Sequence, residues 1–109
     1  MKCPKGLKGP GRALWLATVK RFEVAEHEAA LLEEACRVRD RVVQLREAVE
    51  FDGLMIPSSH GMRLHPAVAE ERQQKLVLAR LLATLSIPGL DEDDLPASSG
   101  VRGVYRAQA

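Results

Sequence analysis

The chain has little of what enzymes and secreted proteins usually depend on. Its 109 residues include two cysteines, Cys3 and Cys36, and no CxxC pair, so two reduced thiols are expected rather than a disulfide framework. No apolar run approaches the ~20 residues that span a bilayer. P-loop, GxSxG, HExxH and dinucleotide-binding glycine patterns are missing. These absences predict a cytosolic, non-enzymatic protein with no catalytic residues, metal or cofactor.

Aromatic residues are also scarce. The chain has four, which are Trp15, Phe22, Phe51 and Tyr105. Trp15 and Phe22 share one face of a predicted helix, where core packing is the simpler interpretation. A platform for single-stranded nucleic acid needs exposed rings on which successive bases stack. If the chain binds nucleic acid, duplex binding through phosphates is therefore the expected mode.

Groups that could carry out chemistry are few. His60 and His65 could ligate a metal, but no Cys, Asp or Glu lies near them in sequence, so a turn histidine and a strand-end histidine are expected instead. Glu33 and Glu34 are adjacent and point in different directions on a helix. Glu33 is predicted to pair with Arg37 one turn later.

What the sequence does contain is a long helical repeat. Apolar residues recur at alternating spacings of four and three, which is the pattern of helix-on-helix packing. The repeat predicts a helix over about 26–52. Its apolar positions are Leu31, Ala35, Val38, Val42, Leu45 and Val49.

Shorter elements flank this helix. A first helix is predicted over about 11–22, and a third over about 66–86, antiparallel to the second. A β-hairpin at about 54–65 lies between them and has to dock on something, because an isolated hairpin is marginal in water. Gly53 is predicted to be a left-handed C-cap. The fold class is mainly α, as one domain between flexible tails.

The apolar surface exceeds what one small chain is expected to cover. The second half of the third helix is apolar on nearly all sides, which indicates burial on all sides. Together with the heptad positions, this predicts a homo-oligomer. The expected interface residues are Leu31, Ala35, Val38, Val42, Leu45, Val49, Leu78, Leu81, Leu82 and Leu85.

Charge is distributed unevenly although the net charge is only +1. Residues 1–21 contain six bases and no acid, whereas residues 91–94 are a run of four acids. The six bases of the basic arm, 1–10, and of the first helix could neutralise phosphates, or could form only a solvated surface. The acidic, largely flexible tail, 87–109, suggests a second partner. The six bases are Lys2, Lys5, Lys8, Arg12, Lys20 and Arg21.

The order of these segments resembles a known family. GPGRALW at 9–15, EHEAALLEEAC at 26–36, DGL at 52–54 and HPAVAEERQQ at 65–74 look like the small terminase subunit of tailed bacteriophages. More closely, they resemble the short branch of that family, whose members have roughly a hundred residues and are encoded beside the large subunit. VRGVYR at 101–106 resembles the tail of this branch. One departure is that Ala25 or Glu26 stands where the family often has an Asp helix cap.

The resemblance implies a non-catalytic DNA-packaging factor that forms a ring in the host cell cytoplasm. Such a subunit binds viral double-stranded DNA and delivers it to the large subunit, which holds the ATPase motor and the nuclease. The six bases are then expected to contact DNA. The expected contacts with the large subunit are Asp91, Glu92, Asp93, Asp94 and Tyr105.

Other classes of protein stay open. A small dimeric DNA-binding transcriptional regulator would share the basic arm, and a structural adaptor of the phage head would bind protein only. A metal-dependent nuclease that uses His60 and His65 is the least favoured alternative.

Overall fold

The computed structural model describes residues 1–85 and contains three helices and one hairpin. In chain order these are α1 (Gly9–Arg21), α2 (Glu26–Asp52), β1 (Met55–Ser58), β2 (Gly61–Leu64) and α3 (Pro66–Leu85). The predicted class, mainly α with a small antiparallel hairpin, is confirmed. The predicted acidic tail lies outside the described residues.

Helix α2 is the common partner of the other two helices, and α1 and α3 both pack against it. At one end of the α2–α3 pair, Asp52 bonds His65. At the other end, Leu32 joins Leu82 and Leu85 in the core. The two helices therefore run antiparallel, as the sequence predicts.

The core lies where the three helices meet. Leu32 and Val42 have no exposed surface, and Trp15 is nearly as well buried. Full burial of one such aliphatic side chain contributes roughly 1.5–3 kcal/mol. The central cluster is Trp15, Leu32, Ala35, Cys36, Leu78, Leu82 and Leu85.

This core limits how much apolar surface the predicted interface residues can offer to another copy. One chain folds α1 and α3 onto two sides of α2, so α2 does not need another copy to cover its apolar positions. Leu31, Val38, Leu45, Val49 and Leu81 are only half-buried and keep some free surface. Five of the predicted interface residues are already buried within one chain, so they offer little surface to another copy, and the interface stays a prediction. These are Ala35, Val42, Leu78, Leu82 and Leu85.

Two details of the helix ends differ from expectation. Helix α1 begins at Gly9 rather than near residue 11. Gly53 does have a positive φ of 94°, but its ψ of 155° lies outside the left-handed helical region. It ends α2 in an extended conformation that glycine alone adopts easily, and its N–H still bonds the Val49 carbonyl at 2.7 Å.

The start of α2 matches the prediction that no side chain caps it. Ala25 is the N-cap residue and offers no side-chain acceptor. Instead, Glu28 Oε1 accepts the Ala25 N–H at 2.9 Å. Glu26 and Glu28 in the first turn also favour the positive end of the helix dipole.

The hairpin stands apart from the core. Met55 pairs with Leu64, and Pro57 pairs with Met62. Directly opposed residues point to the same side of a hairpin, so these four apolar residues share one face. All four are exposed, including Met62 at 61%. The predicted docking of the hairpin is therefore not met by residues 1–85 of its own chain.

Candidate nucleic-acid interface

The first turn of α1 is organised by a carboxylate from α2. Asp40 Oδ2 accepts the Lys8 N–H at 2.7 Å, and Oδ1 accepts the Gly11 N–H at 2.7 Å. Asp40 is 7% exposed, so these two charge-assisted bonds satisfy a buried carboxylate. They also cap a helix whose N-cap residue, Lys8, has no side-chain acceptor of its own.

Gly11 makes this approach possible. A Cβ atom at this position would lie 2.5 Å from the Cys36 carbonyl oxygen and 2.6 Å from Asp40 Oδ2. No larger residue fits without moving α1 away from α2. The close approach of α1 to α2 thus depends on the absence of a Cβ atom at Gly11.

The N-terminal segment is attached to the helices at several points. Arg37 donates to Glu33 at 3.0 Å and to the Lys5 carbonyl at 3.2 Å. Cys3 and Leu7 pack against the core. The predicted arm, 1–10, thus has specific contacts that its Lys-, Gly- and Pro-rich composition did not indicate, and its last two residues belong to α1.

The cations of this region lie at the surface of the arm and of α1. Lys8 and Arg12 are one turn apart and therefore neighbours on one flank. Lys2, Lys5 and Lys20 are also exposed. Within residues 1–85 none of these five side chains forms an ion pair.

Arg21 differs from the other five predicted DNA contacts. Its guanidinium lies over the Phe22 ring, 5.3 Å from the ring centre, in a cation–π contact. It also sits with Lys20 in the last turn of α1, where positive charge favours the negative end of the helix dipole. Arg21 therefore has a structural role in addition to any contact with a ligand.

Several bases elsewhere in the chain are neutralised by acids. Arg37 pairs with Glu33, as the sequence predicts, and this hydrogen bond raises the pKa of the guanidinium. Lys75 and Arg46 share Glu71. The hydrogen bond from Lys75, aided by Arg46, lowers the pKa of Glu71. The five exposed cations of the arm and α1 thus contrast with these paired ones on α2 and α3.

This arrangement has a defined chemistry. Exposed lysine and arginine side chains without an acidic partner can exchange solvent counterions for phosphates. The N-terminus of α1, which could otherwise bind an anion with its backbone N–H groups, is already occupied by Asp40. Any phosphate contact in this region is therefore expected through side chains.

Sequence reasoning missed the role of Asp40. The structure buries this residue under the first turn of α1, where its carboxylate accepts two backbone N–H groups. The available signal was its position one turn after Cys36, on the side of α2 that faces α1. The partner groups were invisible in sequence because they are backbone amides up to 32 positions away.

The two histidines have separate places. His60 is exposed in the hairpin turn. His65 uses both ring nitrogens, since Nε2 lies 2.8 Å from Asp52 Oδ2 and Nδ1 accepts the Ala67 N–H at 3.0 Å. His65 thus caps α3 and joins it to α2. Residues 1–85 contain no group of three or more His, Cys, Asp or Glu side chains placed to hold a metal.

Comparisons with known proteins return no match to a family model, to a curated protein or to a solved structure. Among the helices of residues 1–85, none combines the length and the apolar character that crossing a membrane requires.

Proposed function

We propose that the protein is a non-catalytic small terminase subunit that binds viral double-stranded DNA and delivers it to a large subunit for genome packaging. The observation that carries this proposal is the set of five exposed cations on the N-terminal segment and α1 that have no acidic partner within residues 1–85. Their spread along the arm and one short helix suits a phosphate backbone rather than a single small anion.

A ring of identical subunits is part of the proposal. The support comes from apolar surface that the described chain leaves uncovered, which is on the hairpin and on the outer side of α3. Phe51, at the end of α2, is 91% exposed, and Leu76 on α3 is 49% exposed. In a ring the cations repeat around one rim, so weak individual contacts with DNA add through multivalency.

DNA binding is tested by removing three cations. The triple variant Lys5→Ala, Lys8→Ala and Arg12→Ala leaves the backbone N–H of Lys8 free to bond Asp40, so the fold should persist. Affinity for duplex DNA should fall, and the slope of log K against log salt should flatten by about 0.9 for each phosphate that is no longer neutralised. Fluorescence anisotropy over a salt series measures both quantities.

A matched control removes the same charge elsewhere. Arg63, Arg72 and Arg80 are exposed on the hairpin and α3. Their replacement by alanine should leave the affinity and the salt slope close to those of the wild type. If both triple variants behave alike, binding follows net charge alone and the assignment to α1 is refuted.

The assembly and the large-subunit contact need separate tests. Light scattering on the purified chain should show a closed oligomer, and a monodisperse folded monomer at micromolar concentration would refute the ring. A dimer would favour the regulator class instead. Deleting residues 90–109 should preserve the ring and DNA binding but weaken association with the large subunit, or stimulation of its ATPase.

A further inference from the structure

A groove lies between α1 and α3 on the surface of α2. Its volume is about 330 Å³, which is at the lower end of the ~300–1,000 Å³ range of ligand clefts. Its walls are mainly aliphatic, and among the described residues one guanidinium from α2 is the only charged group in its lining. The lining residues are Pro10, Ala13, Leu14, Ala17, Arg39, Leu78 and Leu82.

Arg39 sets the chemistry that this groove can accept. The side chain is half-buried, and within residues 1–85 it forms no hydrogen bond or ion pair. The neighbouring arginines Arg37 and Arg46 each have a carboxylate partner. A cation that is partly removed from water among aliphatic side chains is costly unless an anion reaches it. The groove therefore fits an apolar segment that carries a carboxylate.

The hairpin of a second copy does not meet this requirement. Its exposed face is apolar, but residues 53–65 contain no Asp or Glu and include Arg63. Docking the hairpin here would leave Arg39 buried without an anion. Residues 90–95 have the required chemistry, because Leu90 and Leu95 enclose four consecutive acids.

Residues 90–95 are also tethered within reach of the groove. Leu82 lines the groove, and the described residues end three positions later at Leu85. Leu90 follows after five more residues, which reach at most about 18 Å. A tether this short gives a local concentration in the millimolar range, so the segment competes well against untethered ligands.

We propose that residues 90–95 occupy the groove of the free protein, with Leu90 and Leu95 against its aliphatic walls and an acid of residues 91–94 on Arg39. The inference does not depend on the proposed function. A tail bound to a large subunit would be the released state of the same segment.

Methyl NMR on the full chain tests this directly. Cross-peaks are expected between the methyl groups of Leu90 or Leu95 and those of Ala13, Ala17, Leu78 or Leu82. The double variant Leu90→Ser and Leu95→Ser provides the undocked reference and should shift the Ala13 and Ala17 methyl signals. Absence of the cross-peaks, or unchanged alanine signals in the double variant, would overturn the proposal. Cross-peaks from Met55 or Met62 to the groove would overturn it too.

A matched pair of arginine variants tests the ionic contact. Arg39→Gln removes the charge in the groove, and Arg41→Gln removes an exposed charge from another side of the same helix. Arg39→Gln should lower the docking equilibrium constant by about tenfold, as expected for loss of a charge-assisted hydrogen bond. Arg41→Gln should leave the Ala13 and Ala17 signals at their wild-type positions. Equal effects of the two variants would refute a specific partner for Arg39.

Discussion

Apolar residues are buried in the helical body, which consists of α1, α2 and α3, but exposed on the hairpin, which consists of β1 and β2. In the body, Leu32 and Val42 are fully buried because α1 and α3 close over α2. In the hairpin, Met55, Met62 and Leu64 are exposed on one face of a two-stranded sheet that does not join the core. An apolar repeat in a long helix is thus weak evidence for contacts between copies, because the same chain can cover it. An apolar hairpin face that the chain leaves exposed is stronger evidence.

The largest effect should come from a charge in the body. Val42→Asp would bury a carboxylate without a partner and should destabilise the chain by more than about 4 kcal/mol. The matched change Met62→Asp places the same carboxylate on the exposed hairpin and should alter the free energy of unfolding of a single chain by less than about 1 kcal/mol. Urea denaturation followed by circular dichroism compares them. Similar losses would mean that the hairpin is as tightly packed as the body.

A smaller but still large effect is expected where α1 approaches α2. Gly11→Ala introduces a methyl group 2.5 Å from the Cys36 carbonyl oxygen and should cost about 2–4 kcal/mol, because the two helices must separate. Gly9→Ala is the matched control, since nothing lies within 4 Å of a Cβ at that position. It should be neutral or stabilise by up to about 1 kcal/mol. Equal unfolding midpoints for the two variants would contradict the close contact.

Alkaline pH should weaken the body through Cys36. Burial raises the pKa of the Cys36 thiol from 9.0 to about 12, with smaller contributions from nearby negative groups that include Asp40. The unfolded chain therefore loses this proton at lower pH than the folded one. The resulting stabilisation is complete below pH 9 and is lost as pH rises towards 12. The stability advantage of the wild type over Cys36→Ala should shrink across that range, and parallel curves would contradict this.

The smallest effect on folding, with a large effect on assembly, is expected at the hairpin face. The double variant Met62→Ser and Leu64→Ser removes exposed apolar groups and should change the free energy of unfolding of a single chain by less than about 1 kcal/mol. If this face joins copies of the chain, the same variant should lower the mass measured by light scattering. Arg63→Ser, on the opposite face, is the control. An intact oligomer in the double variant would move the interface to Leu76 and its neighbours on α3.

The residues that carry the resemblance to small terminases have identifiable structural roles. Gly11 allows the contact with Asp40, and Trp15 fills the core. Asp52 and His65 form the joint between α2 and α3 around the hairpin. The fold by itself explains these motifs. The five exposed cations support the proposed DNA binding, whereas the proposed assignment to small terminases rests on the resemblance in sequence.

The sequence alone determined the kind and order of the elements. The alternating apolar repeat predicted α2, Gly53 predicted its end, and Pro66 marked the start of α3. These signals are local, because helical periodicity and chain-breaking residues act over a few positions. The pairing of Glu33 with Arg37 was predictable for the same reason. The exposure of the bases on the arm and α1 followed from the sequence as well, since each lies in a segment without acids.

Only the tertiary structure decided which surfaces are left over. Asp40 and Gly11 meet across 29 positions, and Arg39 lies in its groove only because α1 and α3 pack on either side of it. Such contacts depend on how separate helices pack in three dimensions, and a pattern of neighbouring residues in the sequence carries no information about that packing. The heptad residues were consequently assigned to another copy of the chain, although the chain buries several of them itself, and the exposed hairpin face became visible only once the core was complete.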